Sequence, residues 1–592
     1  VSDPVARPRA ARTLLALAAV AVAFAAADTY VVVLSLPDMM GSVGLSVEEL
    51  QRAAPIISGF LLGYVAMLPL IGRIADLRGR LPVLVGSLLI FGFGSLITAA
   101  AYDLPSLVTG RFLQGVGGGG LVPVTLALVA DIYPVEKRGV PLGIVGAVQE
   151  LGSVIGPLYG AVVLAVGDWR DIFWINLAVG LVLAAGIAAL PTPVAAPVAE
   201  SERSPRRLDP IGLVLLALFI TALLLVMRQP TSLVTSVRWG GPFVPFGSST
   251  SIWWSQVGLA TIGLGLVLLA WLVLAPRPFV DVRDWWRTAR QADLTGAGLL
   301  AVALGGVILA FATADPQVQV FSDAGPIYLA VAAVAAIGFG LHLRRAASPL
   351  IPRGAFARMP AWGSLAVSFF VGSALIAALV DIPVFARVTI YGDSQIKAAL
   401  VLVEFLIALP VGAVVGGYLS RSLPVGAIAA AGMALSALGF WRMSDWGVDS
   451  LHHPSSSVVL VIAGLGFGLA LAPVNAALLA TTDSAVHGVT SALLVVSRMV
   501  GMLIGISALT TIGLRRYYAV SADFPEPSQV CGGKTRCDEY TDLLQGAGVQ
   551  QLHAIFVGAS LCALLAGLLA LVLFRGAATR GSSTSALIGI GS

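Results

Sequence analysis

Five ionisable side chains stand inside long apolar runs of this sequence: Asp28, Arg111, Glu150, Glu404 and Arg498. Placing a charge at the centre of a membrane helix costs about 3 kcal/mol, so a chain keeps one there only for a task. A carboxylate in such a place can exchange a proton. Burial favours its neutral form and a nearby guanidinium favours its charged form, so a change of surroundings loads or unloads it. Asp28, Glu150 and Glu404 are therefore expected to couple protons to movement. Arg111 and Arg498 are expected to be ion-pair or gating partners. No catalytic residue is expected. Asp28 can also be read as half of a static ion pair that only orients two helices. Asp381, near the end of its run, reads as a helix cap.

The elements that must position these groups are membrane helices. The chain has 592 residues, 58% of them hydrophobic and only 11% charged. A soluble protein carries about 25% charged residues. Apolar runs of about 20 residues recur without barrel-type alternation, so the fold class is all-α and polytopic. About sixteen spans are predicted, with fourteen as the alternative. They start near residues 13, 52, 82, 104, 139, 171, 208, 253, 291, 325, 361, 396, 424, 457, 488 and 551. Basic loops at 7–12, 73–80, 136–138, 203–207, 277–290 and 344–358 fall at every second junction. The positive-inside rule puts them, and both termini, in the cytoplasm. The net charge of +4 therefore sets orientation and implies no nucleic-acid partner. Residues 1–27 also fit a secretory signal, but cleavage there would remove most of the first span.

The sequence repeats itself. GVPLGIVGAVQELGSVIG at 139–156 lies without gaps on GVTSALLVVSRMVGMLIG at 488–505, and the preceding spans match with small gaps. Two related six-helix lobes with a site between them is the build of a secondary transporter. A second repeat, LDPIGLVLLAL at 208–218 and ADLTGAGLLAV at 292–302, opens two central hairpins. The expected division is a first lobe over 1–192, linker hairpins over 193–275 and 276–358, and a second lobe over 359–592. At 1.5 Å rise per residue, Asp28 and Arg111 lie at depths agreeing to about 5 Å. A fold that lines one cavity with both of their helices, as the resemblance given below implies, lets them pair. Glu150 and Arg498 fall one position apart in the aligned repeats, and a cross-lobe contact between them is expected.

Three motifs sharpen this reading. GRIADLRGR at 72–80 closes the second span, RFLQGVGGGG at 111–120 opens the fourth, and GSVIGPLYG at 152–160 crosses the fifth. GVGGGG also satisfies G-x-G-x-x-G, but no strand precedes it, and its glycines fit close helix packing better. No P-loop occurs, so the energy source is expected to be an ion gradient, with no cofactor; the resemblance described next makes that a proton gradient. Together the motifs resemble the signatures of the major facilitator superfamily, in its drug:proton antiporter branch. The pattern departs from that family at Leu77, Leu81 and Ala161. The resemblance marks Gly72, Asp76, Arg78, Gly79 and Arg80 as a cytoplasmic loop motif, and Gly152, Gly156, Pro157 and Gly160 as an antiporter motif.

ADTYVVV (27–33), DWRDIFWIN (168–176), LVDIPVF (379–385) and FLIALPVGAVVGG (405–417) look like segments of the mycobacterial triacylglyceride exporters. That family is also called multidrug efflux pumps and works with a periplasmic lipid-carrying lipoprotein. It normally has fourteen spans, so the hairpin within 208–274 is an addition. The resemblance implies a bacterial inner-membrane protein, acting as a monomer, that exports lipid in exchange for protons. A broad drug:proton antiporter is the second reading, and a lipid scaffold or flippase without a proton step the third. The resemblance also supports roles for Asp28, Glu150 and Arg498. The expected substrate is lipid or another hydrophobic small molecule, since mid-span positions offer few polar groups. Cys531 and Cys537, in the outer loop 515–550, can form a disulfide or stay free. With His553 they show no metal-ligand spacing, and no metal is expected. The aromatic outer loop 229–252 reads either as an interfacial hairpin or as an ordinary aromatic belt.

Overall fold

The computed structural model describes residues 8–45, 50–190, 209–236, 238–247, 251–312, 324–391, 394–532, 537–577 and 579. The basic segment 203–207, and nearly all of the loop 315–325, lie outside them.

Among the described residues, sixteen long helices follow one another. They are α1 Pro8–Ser42, α2 Leu50–Arg78, α3 Arg80–Ala100, α4 Leu104–Ile132, α5 Gly139–Val166 and α6 Trp169–Ala189. Next come α7 Pro210–Arg228, α8 Gln256–Leu274, α9 Leu294–Ala312 and α10 Gly325–Arg345. The chain continues with α11 Met359–Thr389, α12 Gln395–Leu419, α13 Val425–Met443, α14 Pro454–Thr481, α15 His487–Ser521 and α16 Asp538–Leu573. Among the described residues, fifteen helices are long and apolar enough to cross a membrane. The remaining one, α5, has 28 residues and Glu150 as its single charge. Among the described residues the only strand-type pairing is an isolated bridge between Pro245 and Ser255.

Local chemistry sets the helix ends. Asp103 caps α4 by accepting the Ser106 N–H at 2.9 Å, and Asp168 caps α6 from the Arg170 N–H. Each supplies a partner for an N–H group that the first helical turn leaves free. Gly79, at φ +94°, breaks the chain between α2 and α3 in a region that side chains avoid.

Helices α1–α6 pack together, as do α11–α16, and the two groups meet along α2 with α15 and α5 with α12. These seams follow the 139–156 and 488–505 repeat: the fifth helix of each group lies against the second helix of the other. The contacts gather at the end of the bundle that carries the basic loops. A Cβ on Gly139 would collide with the Gly417 carbonyl, and one on Gly72 with Gly488.

Helix α9 packs on α2, while α7 and α8 pack mainly on each other and touch α3 lightly. Both central hairpins close with the same latch. The Asp209 carboxylate accepts the Gly212 N–H, the Trp271 indole N–H and the Phe279 N–H. Asp293 binds the Gly296 N–H, the His342 imidazole and the Leu350 N–H in the same way. The Gly212 hydrogen bond, with the Trp271 and Phe279 ones, holds the Asp209 carboxyl below its ordinary value. The stabilisation it gives is thus present above the ordinary carboxylate pKa and lost as pH falls through the lowered one.

Two expectations need correction. The segment 515–550 is mostly helix: α15 and α16 have 35 and 36 residues, and only 522–537 connects them. About 20 residues span a bilayer, so roughly 20 Å of this pair stands beyond it. No proline interrupts the sequence until Pro525, so the helix runs on after apolarity ends. Cys531 and Cys537 form a disulfide in the connection, whose residues 533–536 lie outside the described ones. Asp381 is no cap either. It is buried inside α11 and has no hydrogen-bond partner among the described residues.

Candidate functional site

The first group assembles around Asp28, which is 1% exposed. Its carboxylate accepts a hydrogen bond from Arg111 at 2.7 Å, one from Asn176 and a long one from Gln114 at 3.5 Å. Arg111 also donates to the Gln114 carbonyl at 2.9 Å and lies over the Phe60 ring at 4.4 Å. Gln114 in turn donates to Ser95 at 2.8 Å, and Thr98 donates to Gln114 at 3.2 Å. Four helices, α1, α3, α4 and α6, supply the hydrogen-bonding side chains, and α2 supplies Phe60. A buried ion pair is costly unless its polar atoms find partners. This shell satisfies the Asp28 carboxylate and one guanidinium nitrogen of Arg111, while Arg111 Nε is buried with no hydrogen-bond partner among the described residues. Glycines of the GSVIGPLYG segment pack α5 closely on α1 beside this shell. A Cβ on Gly152 would strike Ala23, and one on Gly156 the Ala27 carbonyl, so α5 can lie against α1 beside Asp28 only with glycine there.

The second group seals one end of the bundle. Asp76 accepts the backbone N–H groups of Gly488 at 2.7 Å and Val489 at 2.9 Å. A side chain of one lobe thus caps a helix of the other, adding charge to the positive end of its dipole. Arg80 is bonded to Asp76 and to Asp131, and reaches the Ser484 carbonyl. Arg138 donates across the seam to the Leu479 carbonyl at 3.2 Å. Burial moves the Arg138 guanidinium below its ordinary pKa, against the pull of Asp131 and Glu136. Arg78 faces away from the seam, toward Asp284 at 2.8 Å.

The third group lies between the lobes. Glu150 on α5 and Arg498 on α15 approach to 3.7 Å, and both are buried. Tyr64 on α2 is close enough to interact with both charges. A small cavity sits beside Arg498, walled by Val122, Leu126, Val371 and Val474, with Gln149 and Asn475 as its polar corners.

A search of protein-family models matches residues 18–506 to the Major Facilitator Superfamily. The chain belongs to the major facilitator superfamily. Among curated proteins, this facilitator is similar to a triacylglyceride transporter of Mycolicibacterium hassiacum, 34% identical over 546 residues. That match covers 89% of this chain and 85% of the relative. It is also similar to a triacylglyceride transporter of Mycobacterium tuberculosis, 36% identical over 526 residues, with 86% of this chain and 84% of the relative covered. Among solved structures it shares its fold with the human organic anion transporter MFSD10. The TM-score there is 0.53 at 13% identity, covering 95% of this chain and 99% of the other.

Not every residue singled out in the sequence joins the site. Glu404 is exposed on α12, on a stripe with Leu400, Ile407 and Val411, and bonds to none of the described residues. It stands apart from the Asp28 and Glu150 groups. The side chain of Pro157 lies outside the described residues. Sequence reasoning missed Gln114, Asn176, Ser95, Thr98 and Tyr64. Gln114 was visible in RFLQG and Asn176 in DWRDIFWIN, as amides inside apolar runs.

The cross-lobe pair of this facilitator makes a measurable prediction. Glu150→Gln leaves Arg498 buried without its carboxylate, and transport by the variant is expected to fall at least about tenfold. Glu150→Gln, Arg498→Gln and the double variant form a cycle, in which transport and thermal stability should show a coupling of about 1–3 kcal/mol. Additive effects would mean the two groups do not interact.

Proposed function

We propose that this facilitator is a proton-coupled exporter that moves triacylglyceride-like lipid from the inner membrane toward the cell envelope. The observation that carries the proposal is the Asp28–Arg111 pair, a buried carboxylate held at 2.7 Å by a guanidinium inside the first lobe. A proton arriving at Asp28 removes the charge that holds Arg111, which still has Gln114 to bind. Helices α1 and α4 are then free to shift relative to each other. That shift passes through α2 and α5 to the seams they form with the second lobe. The relatives named as triacylglyceride transporters support lipid as the cargo, and the mostly apolar wall between the lobes suits a hydrophobic molecule. The acceptor proposed for the released lipid is a periplasmic lipid-carrying lipoprotein, and the transporter is proposed to work as a monomer.

The substrate is tested by reconstituting the protein in vesicles that hold labelled triacylglyceride, labelled phospholipid or a hydrophobic dye. Gradient-driven movement of triacylglyceride above the other two is expected. Movement of the dye alone would favour a drug antiporter.

The proposed orientation has both termini in the cytoplasm, with α7 and α8 crossing the membrane. A reporter fused at residue 280 is then expected to read cytoplasmic, and one at residue 240 to read outside. Readings on the same side would show that this hairpin does not span.

A further inference from the structure

The ten-residue helix Val282–Gln291 joins α8 to α9 and belongs to neither lobe. Its sequence, VRDWWRTARQ, divides into two faces. Residues 283, 286, 287 and 290 recur at the spacing that puts side chains on one side of a helix. They are Arg283, Trp286, Arg287 and Arg290, and all four are exposed. The Arg290 guanidinium lies 5.3 Å from the Trp286 ring centre. The opposite face is engaged with the protein. Asp284 binds Arg78 at 2.8 Å, Thr288 accepts from Arg78 at 3.2 Å, and Arg78 lies over Trp285 at 4.2 Å. Asp281 caps the helix by accepting the Asp284 N–H at 3.0 Å.

The helix sits where two apolar spans stop. Leu274 ends α8 and Leu294 begins α9. That position is the boundary between hydrocarbon and headgroups, where Trp is favoured and Arg meets lipid phosphates. An exposed side with three guanidinium groups and one indole is complementary to anionic headgroups and to no apolar partner.

We propose that the exposed face of Val282–Gln291 is a binding surface for anionic phospholipid headgroups of the leaflet at the basic end of the bundle. The surface is joined to the lobe seam by a short path. Its inner face holds Arg78, and two residues before Arg78 stands Asp76, which caps α15 of the other lobe. Headgroups bound to the outer face fix the helix, and with it the end of α2.

The test uses the full-length protein in nanodiscs. Wild type is expected to show a higher melting temperature in phosphatidylglycerol than in phosphatidylcholine, with the difference shrinking as salt rises. In mixed lipid, retention of phosphatidylglycerol on the purified protein should exceed that of phosphatidylcholine by roughly tenfold or more. Arg283→Gln, Arg287→Gln and Arg290→Gln together should abolish the preference while leaving the melting temperature in phosphatidylcholine unchanged. The same three positions changed to Lys should keep it. Loss in the Lys variant, retention in the Gln variant, or equal protection by inorganic phosphate in phosphatidylcholine would each overturn the proposal.

Discussion

Asp28→Asn, on the proposed proton coupling, is expected to abolish gradient-driven transport, at least about a hundredfold below wild type, while the helices still insert. The amide keeps the shape of the carboxylate but exchanges no proton. It also has only one acceptor oxygen, whereas Asp28 accepts from Arg111, Asn176 and Gln114. One donor then faces the new NH2 group, and Arg111 stays buried without a counter-charge. Breaking a buried pair on one side costs about 3–5 kcal/mol, so the melting temperature of the variant should drop. Asp28→Asn with Arg111→Gln removes both charges, and the neutral pair should regain much of the lost stability. Coupling and scaffolding separate at that point. A proton-coupling Asp28 predicts a stable but inactive double variant. A static pair predicts that transport returns with stability, so thermal melting and export are measured on both variants.

Asp76→Asn should open the sealed end. The wild-type carboxylate accepts two backbone N–H groups of α15 and pairs with Arg80. Hydrogen bonds to a charged group are worth about 1.5–3 kcal/mol each. An amide oxygen can replace at most one of the two, without the charge that favours the helix terminus. A loss of about 3 kcal/mol shifts a two-state equilibrium more than a hundredfold. Spin labels on the exposed residues Glu136 and Ser484, on opposite sides of the seam, report the distance. In Asp76→Asn the distribution should move to longer values. An unchanged distribution would show that the cap does not hold the lobes together.

The fold was largely readable because membrane helices announce themselves by length and apolarity, and the 139–156 and 488–505 repeat marked α5 and α15, one helix of each seam, but not their partners α12 and α2. Depth along two helices, with the family resemblance that lines one cavity with both, was enough to pair Asp28 with Arg111. The Glu150–Arg498 contact needed the repeat as well. What the sequence hid was the side a residue faces. Glu404 has the same composition signal as Glu150, but the direction of α12 turns it outward. The shell around Asp28 was hidden for a related reason. Gln114 and Asn176 become partners only when α4 and α6 converge on α1, and no local pattern records that. Asp76 was marked by its motif, yet its bonds to the backbone of Gly488 and Val489 depend on no side chain there, so no pattern of residue types could show them.

The most direct measurement of the central claim is lipid movement and proton movement in the same vesicles. Purified protein is reconstituted with labelled triacylglyceride and an internal pH dye, and a proton gradient is imposed and then collapsed with an ionophore. Proton-coupled export predicts that wild type moves triacylglyceride only while the gradient stands, that a lipid-dependent proton flux accompanies it, and that Asp28→Asn shows neither. Triacylglyceride movement that continues after the gradient is collapsed, or that proceeds in Asp28→Asn at the wild-type rate, would contradict it.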